Sequence, residues 1–425
     1  MFTHLDQRIH SRNTVNLLPA GDDVAVADEL RVLSIYEGFF AGGARVLHSG
    51  VVIGLHSGGN QSHSVLSVHR EVRRETTLQK MEDDHCYRSL TAAGVSVTSL
   101  GRSPDSTAGP GAFSASELAT AGRYASRADI IFSLKEQPLH LINHPDLPRR
   151  PVIVCLHRSD PQNQGSALAE LATAVADGRI AACICCAEST KAAYLAAGIP
   201  AGLLHVIPNG VDLARFRPAR PGKRAELCRS LDVPPGAAVI AFAARYDHMK
   251  NVPLFLHAAR AYLKREPAGH ILMCGAGMSA ANIGLCEDID IAFADEPRLL
   301  HRLHLLGIRH DMQAIYAAAD VVSLTSSFGE AAPLCLIEGM MCGAIPVATD
   351  VGDCAAIVAG HGIITPADPD AISSAWTEAV DRRAEFAASL ARSRERFSHT
   401  RMIASYSALI DHTYREMDTP ALRTF

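Results

Sequence analysis

The sequence predicts an α/β fold built from parallel sheets, and three observations support this prediction. Short apolar runs typical of buried strands alternate with helical stretches along most of the 425-residue chain, as in parallel sheets. The alternation begins again at Ala238, after a segment over residues 217–237 that is rich in proline and arginine. The length corresponds to two domains or slightly more.

In the first half, residues 1–28 are polar without a clear period, and we interpret them as an N-terminal extension. The first strand is predicted over residues 30–36, followed by a glycine-rich turn and a helix from Ala44. A second strand is predicted over residues 64–68. Later strands are predicted over residues 130–133, 152–156, 181–186 and 203–207.

Two polar stretches interrupt this alternation. Residues 69–88 mix both signs of charge and are interpreted as a solvated loop or helix. A basic patch for an acceptor or a membrane is the alternative, although Glu71 and Glu75 interleave with its arginines. Residues 101–116 are rich in serine, proline and glycine, which predicts a loop.

The most informative stretch runs from residue 325 to residue 353 and carries two carboxylates, Glu330 and Glu338. It follows a strand over residues 320–324. A helix is expected to begin near Leu334 and to stop at Gly343. Loops at the carboxyl ends of strands bind ligands in open α/β sheets. Considered alone, each carboxylate has a simpler explanation. Glu330 could be a surface charge on a loop, and Glu338 could be an anion that stabilises a helix N-terminus.

Composition excludes several classes of protein. A hydrophobic fraction of 48% and a charged fraction of 20% are typical of a globular protein in water. We expect neither a signal peptide nor a membrane span, and a net charge of −5 does not favour nucleic acid or anionic lipid. Cys183, Cys185 and Cys186 lack the second pair that a zinc site needs, so buried thiols and a cytoplasmic location are expected.

The stretch around Glu330 and Glu338 resembles the E-x(7)-E segment of the retaining GT-B glycosyltransferases of family 4. The matching positions are Ser327, Glu330, Pro333, Leu334, Glu338, Met340, Gly343, Pro346 and Val347. The chain departs from the family pattern at Ala331, Ile337, Gly339 and Met341. The resemblance extends over most of the chain, from residue 30 to residue 414.

Other segments support the same resemblance. Residues 207–216 resemble the I-P-N-G-V-D-x-x-x-F segment at the domain hinge, and Arg245 and Lys250 resemble the family's G-R-(x)4-K-G segment. In the latter, Asn251 replaces a glycine but tolerates a left-handed backbone. Gly43 falls in the family's glycine-rich loop, where Arg45 stands in place of the usual glutamate.

The resemblance implies two Rossmann-like domains that face a cleft, with the acceptor in the N-terminal domain and the nucleotide sugar in the C-terminal one. The implied divisions are residues 1–28 for the extension, 29–216 and 217–400 for the domains, and 401–425 for a helix that crosses back.

The resemblance also implies roles for individual residues. The implied catalytic residues are His157, Arg245, Lys250 and Glu330, and the implied donor-binding residues are Gly43, Gly275, Ile308, Arg309, Pro333, Leu334 and Glu338. Arg245 and Lys250 would hold the diphosphate in place of a metal, and Glu338 would hold the ribose. The D-x-D at Asp288 and Asp290 is interpreted as a surface loop, so no metal or other cofactor is expected.

The expected donor is a UDP-sugar, and a small-molecule acceptor is favoured over a lipid-linked one. Hydrolysis by two carboxylates is an enzymatic alternative, but it gives Arg245 and Lys250 no task. A nucleotide-sugar 2-epimerase of the same architecture and a non-catalytic sugar-nucleotide-binding protein remain open, since fold does not fix function.

Overall fold

The computed structural model describes residues 29–40, 42–74, 77–103, 109–220 and 222–418. The predicted N-terminal extension, residues 1–28, lies outside the described residues. Two parallel sheets organise the described chain, which confirms the predicted α/β class with two Rossmann-like domains.

The first sheet has seven strands in the order β5-β2-β1-β6-β7-β8-β9, all paired in parallel. Its strands are β1 Leu30–Tyr36, β2 Gln61–His69, β5 Ser96–Arg102, β6 Ile130–Leu134, β7 Val152–Leu156, β8 Ile180–Cys185 and β9 Leu204–Val206. A separate antiparallel hairpin consists of β3 Glu71–Arg74 and β4 Thr77–Lys80. The helices of this half are α1 Gly43–Ser57, α2 His85–Ala92, α3 Ala115–Arg127, α4 Leu139–Ile142, α5 Ala167–Ala176 and α6 Glu188–Ala196.

The second sheet has six parallel strands in the order β12-β11-β10-β13-β14-β15. They are β10 Ala238–Ala243, β11 Gly269–Cys274, β12 Leu303–Leu305, β13 Val321–Leu324, β14 Ile345–Thr349 and β15 Ile363–Thr365. The helices are α7 Lys223–Ser230, α8 Val252–Arg265, α9 Ile283–Ala292, α10 Met312–Ala318, α11 Leu334–Met341, α12 Cys354–Val358, α13 Pro369–Asp381, α14 Arg383–Ser393 and α15 His399–Asp418.

Each sheet is buried between two layers of helices, which explains its nearly continuous apolar strands. All five residues of β7 are buried, as are all five of β14. On the last helix, Met402 and Tyr406 pack into the core of the first sheet, so α15 covers that sheet although it follows the second one. No helix in the described part of the chain is long and apolar enough to span a membrane.

The passage between the two sheets lies near the predicted hinge. Ile207 packs in the first half, whereas Val211 and Phe216 already pack in the core of the second sheet. The division after residue 216 stays a prediction, and this packing favours a slightly earlier crossing.

Several local predictions were wrong. The described residues between 69 and 88 form the hairpin strands, a short 3₁₀ turn at Met81–Asp83 and the start of α2 rather than one loop or helix. Strand β5 extends into the predicted loop at residue 101. The D-x-D lies on α9, not in a loop, and Asp288 accepts a hydrogen bond from the Tyr246 hydroxyl at 2.9 Å. All eleven cysteines are free thiols, and the three singled out in β8 and after it are buried as predicted.

Candidate active site

A cleft of about 590 Å³ lies between the carboxyl edges of the two sheets. Every residue that the sequence singled out for a site lines it: His157, Arg245, Lys250, Glu330, Gly43, Gly275, Ile308, Arg309, Pro333, Leu334 and Glu338. The fold therefore brings together residues that lie almost 300 positions apart in the sequence.

Lys250 and Glu330 form an ion pair on the floor of the cleft. The turn after β10 ends at Asn251, whose φ of 49° is left-handed as expected and whose side chain caps α8. The Ser326 hydroxyl also donates to Oε1 of Glu330, at 2.5 Å. Burial by itself lowers the pKa of Lys250, but the charge and hydrogen bond of Glu330 outweigh burial and raise it. Lys250 is therefore a fixed cation rather than a solvated loop side chain.

Two arginines of the C-terminal half have carboxylate partners close in sequence. Arg245 lies 3.1 Å from Asp247, and Arg309 forks onto Asp311 with bonds of 2.8 and 2.6 Å. Side chains of both arginines remain about one-third exposed. Both guanidinium groups are thus held in orientation while they remain accessible from the cleft.

Glu338 lies in the second turn of α11, facing the cleft. Burial raises its pKa to about 7, although the Arg215 charge and a hydrogen bond from the Tyr316 hydroxyl oppose that rise. The Glu338 carboxyl therefore releases its proton less readily than an exposed glutamate does. Arg215 is itself held by the His310 carbonyl at 3.0 Å and by Gln313.

Two glycines bring backbone close to the cleft. Gly275 has a φ of 137°, and a Cβ there would lie 2.0 Å from the Ala244 carbonyl oxygen. Gly43 begins α1 and faces Leu334 at the start of α11, where a Cβ would lie 3.4 Å from Leu334 Cδ1. The N-termini of α1 and α11 therefore meet across the cleft, each with partial positive charge.

His157 directly follows β7, at the carboxyl end of the strand. Its Nε2 is buried and has no hydrogen-bond partner among the described residues. Burial, assisted by the nearby Lys135 charge, lowers its pKa to about 3. The imidazole is therefore neutral at physiological pH.

The sequence did not reveal several residues that line the cleft. Arg45, noted only as a departure, forms a buried ion pair with Asp84 at 2.8 Å. Arg158 forks onto Asp160. The carboxylate partners of Arg45 and Arg158 could not be predicted from the sequence. The position of Arg158 next to His157 could have indicated that Arg158 lines the site.

The described cleft lining is cationic overall. It includes seven arginine or lysine side chains and four carboxylates: Arg45, Lys135, Arg158, Arg215, Arg245, Lys250 and Arg309 against Glu37, Asp84, Glu330 and Glu338. The whole chain is anionic, with a net charge of −5. Three of these arginines, Arg158, Arg245 and Arg309, are paired with aspartates outside that lining, so the excess of cations applies to the lining side chains alone.

Solved structures share this architecture. Anabaena Alr3699/HepE, crystallised with UDP and glucose, superimposes with a TM-score of 0.74 at 19% identity, over 90% of this chain and 100% of that one. Sucrose-phosphate synthase from Thermosynechococcus elongatus gives a TM-score of 0.67 at 16% identity, over 91% and 100%. The two facing domains and the cleft between them define the GT-B fold.

Family models match both halves of the chain. Residues 84–215 match the family described as "Glycosyltransferase Family 4", and residues 237–382 match "Glycosyl transferases group 1". Each half of the chain is therefore similar to a glycosyltransferase family, and the chain as a whole has the GT-B fold.

Curated relatives match over a shorter part of the chain. A D-inositol 3-phosphate glycosyltransferase of Actinosynnema mirum is 31% identical over 217 residues, which is 46% of each chain. Another, of Saccharomonospora viridis, is 31% identical over 240 residues, half of each chain. The chain thus spans about half the length of the curated relatives it matches.

Proposed function

We propose that the protein transfers a sugar from a UDP-sugar to a hydroxyl of a small-molecule acceptor, with retention at the anomeric carbon and without a metal. The observation that carries the proposal is the convergence of Arg245, Lys250, Glu330 and Glu338 in one cleft between two domains. The sugar would be a hexose or an N-acetylhexosamine.

The leaving group of such a reaction is a diphosphate, and fixed cations can stabilise its charge. Arg245 and Lys250 would take this role, assisted by backbone amides at the start of α11 near Pro333 and Leu334. A preorganised donor of this kind contributes roughly 10²–10³-fold in rate. Because the site would hold its charges in place before the reaction, no metal is required.

Glu330 and His157 would contact the transferred sugar. Lys250 and Ser326 both bind Oε1 of Glu330, so Oε2 is the atom that would accept a hydrogen bond from a sugar hydroxyl. The neutral imidazole of His157 would offer a second polar contact from the opposite domain.

The remaining residues would hold the nucleotide. Glu338 would bind the ribose, and Ile308 and Arg309 would lie beside the base. Gly275 and Gly43 would allow backbone to approach the diphosphate and the sugar.

Two comparisons support the choice of substrates. The Alr3699/HepE structures contain UDP, UDP with glucose, or UDP-glucose. The curated relatives are named for D-inositol 3-phosphate, a small acceptor. A lipid-linked or polysaccharide acceptor is the alternative. One structural neighbour, a lipopolysaccharide outer core galactosyltransferase, is named for such an acceptor.

The experiment is to incubate the purified protein with UDP-glucose, UDP-N-acetylglucosamine and GDP-mannose, each with and without inositol 3-phosphate. We expect release of UDP from one UDP-sugar, faster with an acceptor than without, and a product with the donor's anomeric configuration. A protein that binds UDP but turns over no donor in this panel would instead be a non-catalytic binder.

A further inference from the structure

We propose that Ser159 is a positioning residue that fixes the Glu330 carboxylate relative to His157 across the domain interface; the inference rests on the proposed function. Ser159 belongs to the N-terminal half and donates its hydroxyl to the backbone carbonyl of Glu330 in the C-terminal half. It lies two residues after His157. The segment 157–159 therefore carries one of the proposed sugar contacts and also binds the backbone of Glu330.

The loop that carries Glu330, residues 329–332, accepts hydrogen bonds at three successive backbone carbonyls. The Glu330 carbonyl accepts from Ser159, the Ala331 carbonyl from the Asp353 amide at 2.9 Å, and the Ala332 carbonyl from Asn209 Nδ2 at 2.8 Å. Ser159 and Asn209 precede the second sheet, so two of these three donors come from outside the domain that carries the loop.

The beginning of this loop is also in close contact with the segment after His157. A Cβ on Gly329 would lie 2.9 Å from Arg158 Nη2 and 3.0 Å from Asp160 Oδ2. These two side chains are joined to each other by bonds of 2.7 and 2.6 Å. The loop therefore lies directly against a rigid ion pair of the opposite domain.

Asp353 connects the loop to the N-terminal half by a further route. Its carboxylate accepts from the backbone amides of Glu188 and Ser189, both at 2.9 Å, in the first turn of α6. Its own amide donates to the Ala331 carbonyl. The loop is thus connected to the opposite domain through Ser159, through Asn209 and, by way of Asp353, through the first turn of α6.

This arrangement matters because Glu330 and His157 would act on the same sugar from different domains. A displacement of about 1 Å in a catalytic group can cost roughly 10²-fold in rate. Ser159 would not contact the reacting atoms, because its hydroxyl donates to the backbone carbonyl of Glu330. Its effect would pass through the position of Glu330.

The first test compares Ser159→Ala with a matched control, Ser189→Ala. Ser189→Ala keeps the backbone amide that donates to Asp353 and removes only a buried hydroxyl that has no hydrogen-bond partner among the described residues. With UDP-glucose or whichever UDP-sugar is turned over, we expect Ser159→Ala to lower kcat roughly three- to tenfold, as for loss of one neutral hydrogen bond. The donor KM should change less than about twofold, because nucleotide contacts are intact. Ser159→Thr, which keeps the hydroxyl, should recover most of kcat, and Ser189→Ala should match the wild type.

The second test is a double-mutant cycle with Glu330→Gln. If Ser159 acts through Glu330, Ser159→Ala should lower kcat much less in the Glu330→Gln background than in the wild type. An equal loss in both backgrounds would overturn the proposal. So would an equal loss in Ser159→Ala and Ser189→Ala.

A third measurement is independent of turnover. Amide hydrogen exchange at Asp353, whose amide donates to the Ala331 carbonyl of the loop, should be faster in Ser159→Ala than in Ser189→Ala, because one anchor of the loop is lost. Unchanged exchange refutes the positioning role even in an active enzyme. Faster exchange in a protein that turns over no donor supports the anchor and rejects the proposed function, so the two failures are distinguishable.

Discussion

At the scale of single residues, the pairing of Lys250 with Glu330 changes what a substitution at Lys250 should do. A lysine on a solvated loop contributes little to stability, but Lys250 is only 14% exposed and neutralises a buried carboxylate. Its removal leaves that carboxylate without its cationic partner. Activity and stability should therefore both respond.

We predict that Lys250→Met lowers turnover by roughly 10²-fold or more, since a fixed cation at the leaving group is lost. It should also lower the free energy of unfolding by about 3 kcal/mol, the order expected when one partner of a buried pair is removed. The double variant Lys250→Met/Glu330→Gln should regain much of that stability without regaining activity. Initial rates and urea unfolding measure the two effects, and a double variant with wild-type rates would remove Lys250 from the mechanism.

The two glutamates should separate kinetically. Glu330 is placed at the transferred sugar, where positive charge develops, so Glu330→Gln should chiefly lower kcat. Glu338 is placed on the ribose, where contacts are similar in the ground and transition states, so Glu338→Gln should chiefly raise the donor KM. Donor saturation kinetics distinguish them, with the exposed Glu226→Gln as a control. The opposite pattern would mean that the donor lies in the reverse direction in the cleft.

At the scale of elements, the loop that carries Glu330 is confined by a glycine in the next strand-to-helix connection. Gly352, between β14 and α12, has a φ of 60°, and a Cβ there would lie 2.2 Å from the Glu330 carbonyl oxygen. Gly360, after α12, has a φ of 73° with nothing within 4 Å of its Cβ position. The two glycines share a left-handed backbone and differ in their neighbours.

We predict that Gly352→Ala and Gly360→Ala both lower stability by about 1 kcal/mol or more, because alanine disfavours a positive φ. Only Gly352→Ala should also lower kcat, since its methyl group must displace the backbone of Glu330. Thermal melting and initial rates on the pair measure this difference. Equal kcat values in the two variants would contradict a role for loop position in turnover.

At the scale of the whole molecule, the chain is anionic, but cations outnumber carboxylates among the side chains that line its cleft. The cations there are side chains fixed by carboxylates, hydrogen bonds or burial. The proposed mechanism assigns the diphosphate to them rather than to a metal ion.

We therefore predict that turnover persists in EDTA at a rate close to that without chelator. The measurement is UDP release after dialysis against EDTA, with and without added Mg²⁺ or Mn²⁺. The matched control is the assay's coupling enzyme, tested alone under the same conditions. Full loss of turnover that either ion restores would contradict the metal-independent mechanism.

The N-terminal half should also make the molecule sensitive to acid. Burial lowers the pKa values of His48, His63 and His157 to about 3, with neighbouring histidines or Lys135 adding to the effect. The unfolded chain binds protons at these sites below about pH 6.5, whereas the folded chain does not. Their contribution to the free energy of unfolding is thus present above about pH 6.5 and is lost as the pH falls toward about 3.

We predict a progressive loss of unfolding free energy between about pH 6.5 and pH 4, with His48→Gln reducing the slope. Exposed His412 provides the control, because His412→Gln should leave the slope unchanged. Urea unfolding at several pH values gives the slopes. A slope identical in the wild type and His48→Gln would show that His48 takes up protons in the folded state.

The order of the elements and the residue types of the site could be predicted from the amino-acid sequence. Apolar runs located β1, β7, β10 and β14, and the helix expected to begin near Leu334 and to stop at Gly343 is α11, within two residues at its end. These features depend on local signals, namely apolar periodicity and the preference of glycine for the left-handed backbone at a helix end, which Gly343 adopts with a φ of 91°. The resemblance implied eleven site residues, and all eleven line the cleft.

The partners and the pKa shifts of those residues became visible only in the folded chain. Lys250 pairs with Glu330 across 80 positions, Arg45 with Asp84 across 39, and Ser159 with Glu330 across 171. A hydrogen bond depends on positions accurate to a fraction of an ångström, which are set by packing of whole domains. The pKa of Glu338 likewise depends on how much water the cleft excludes, and burial belongs to the folded chain rather than to its sequence pattern.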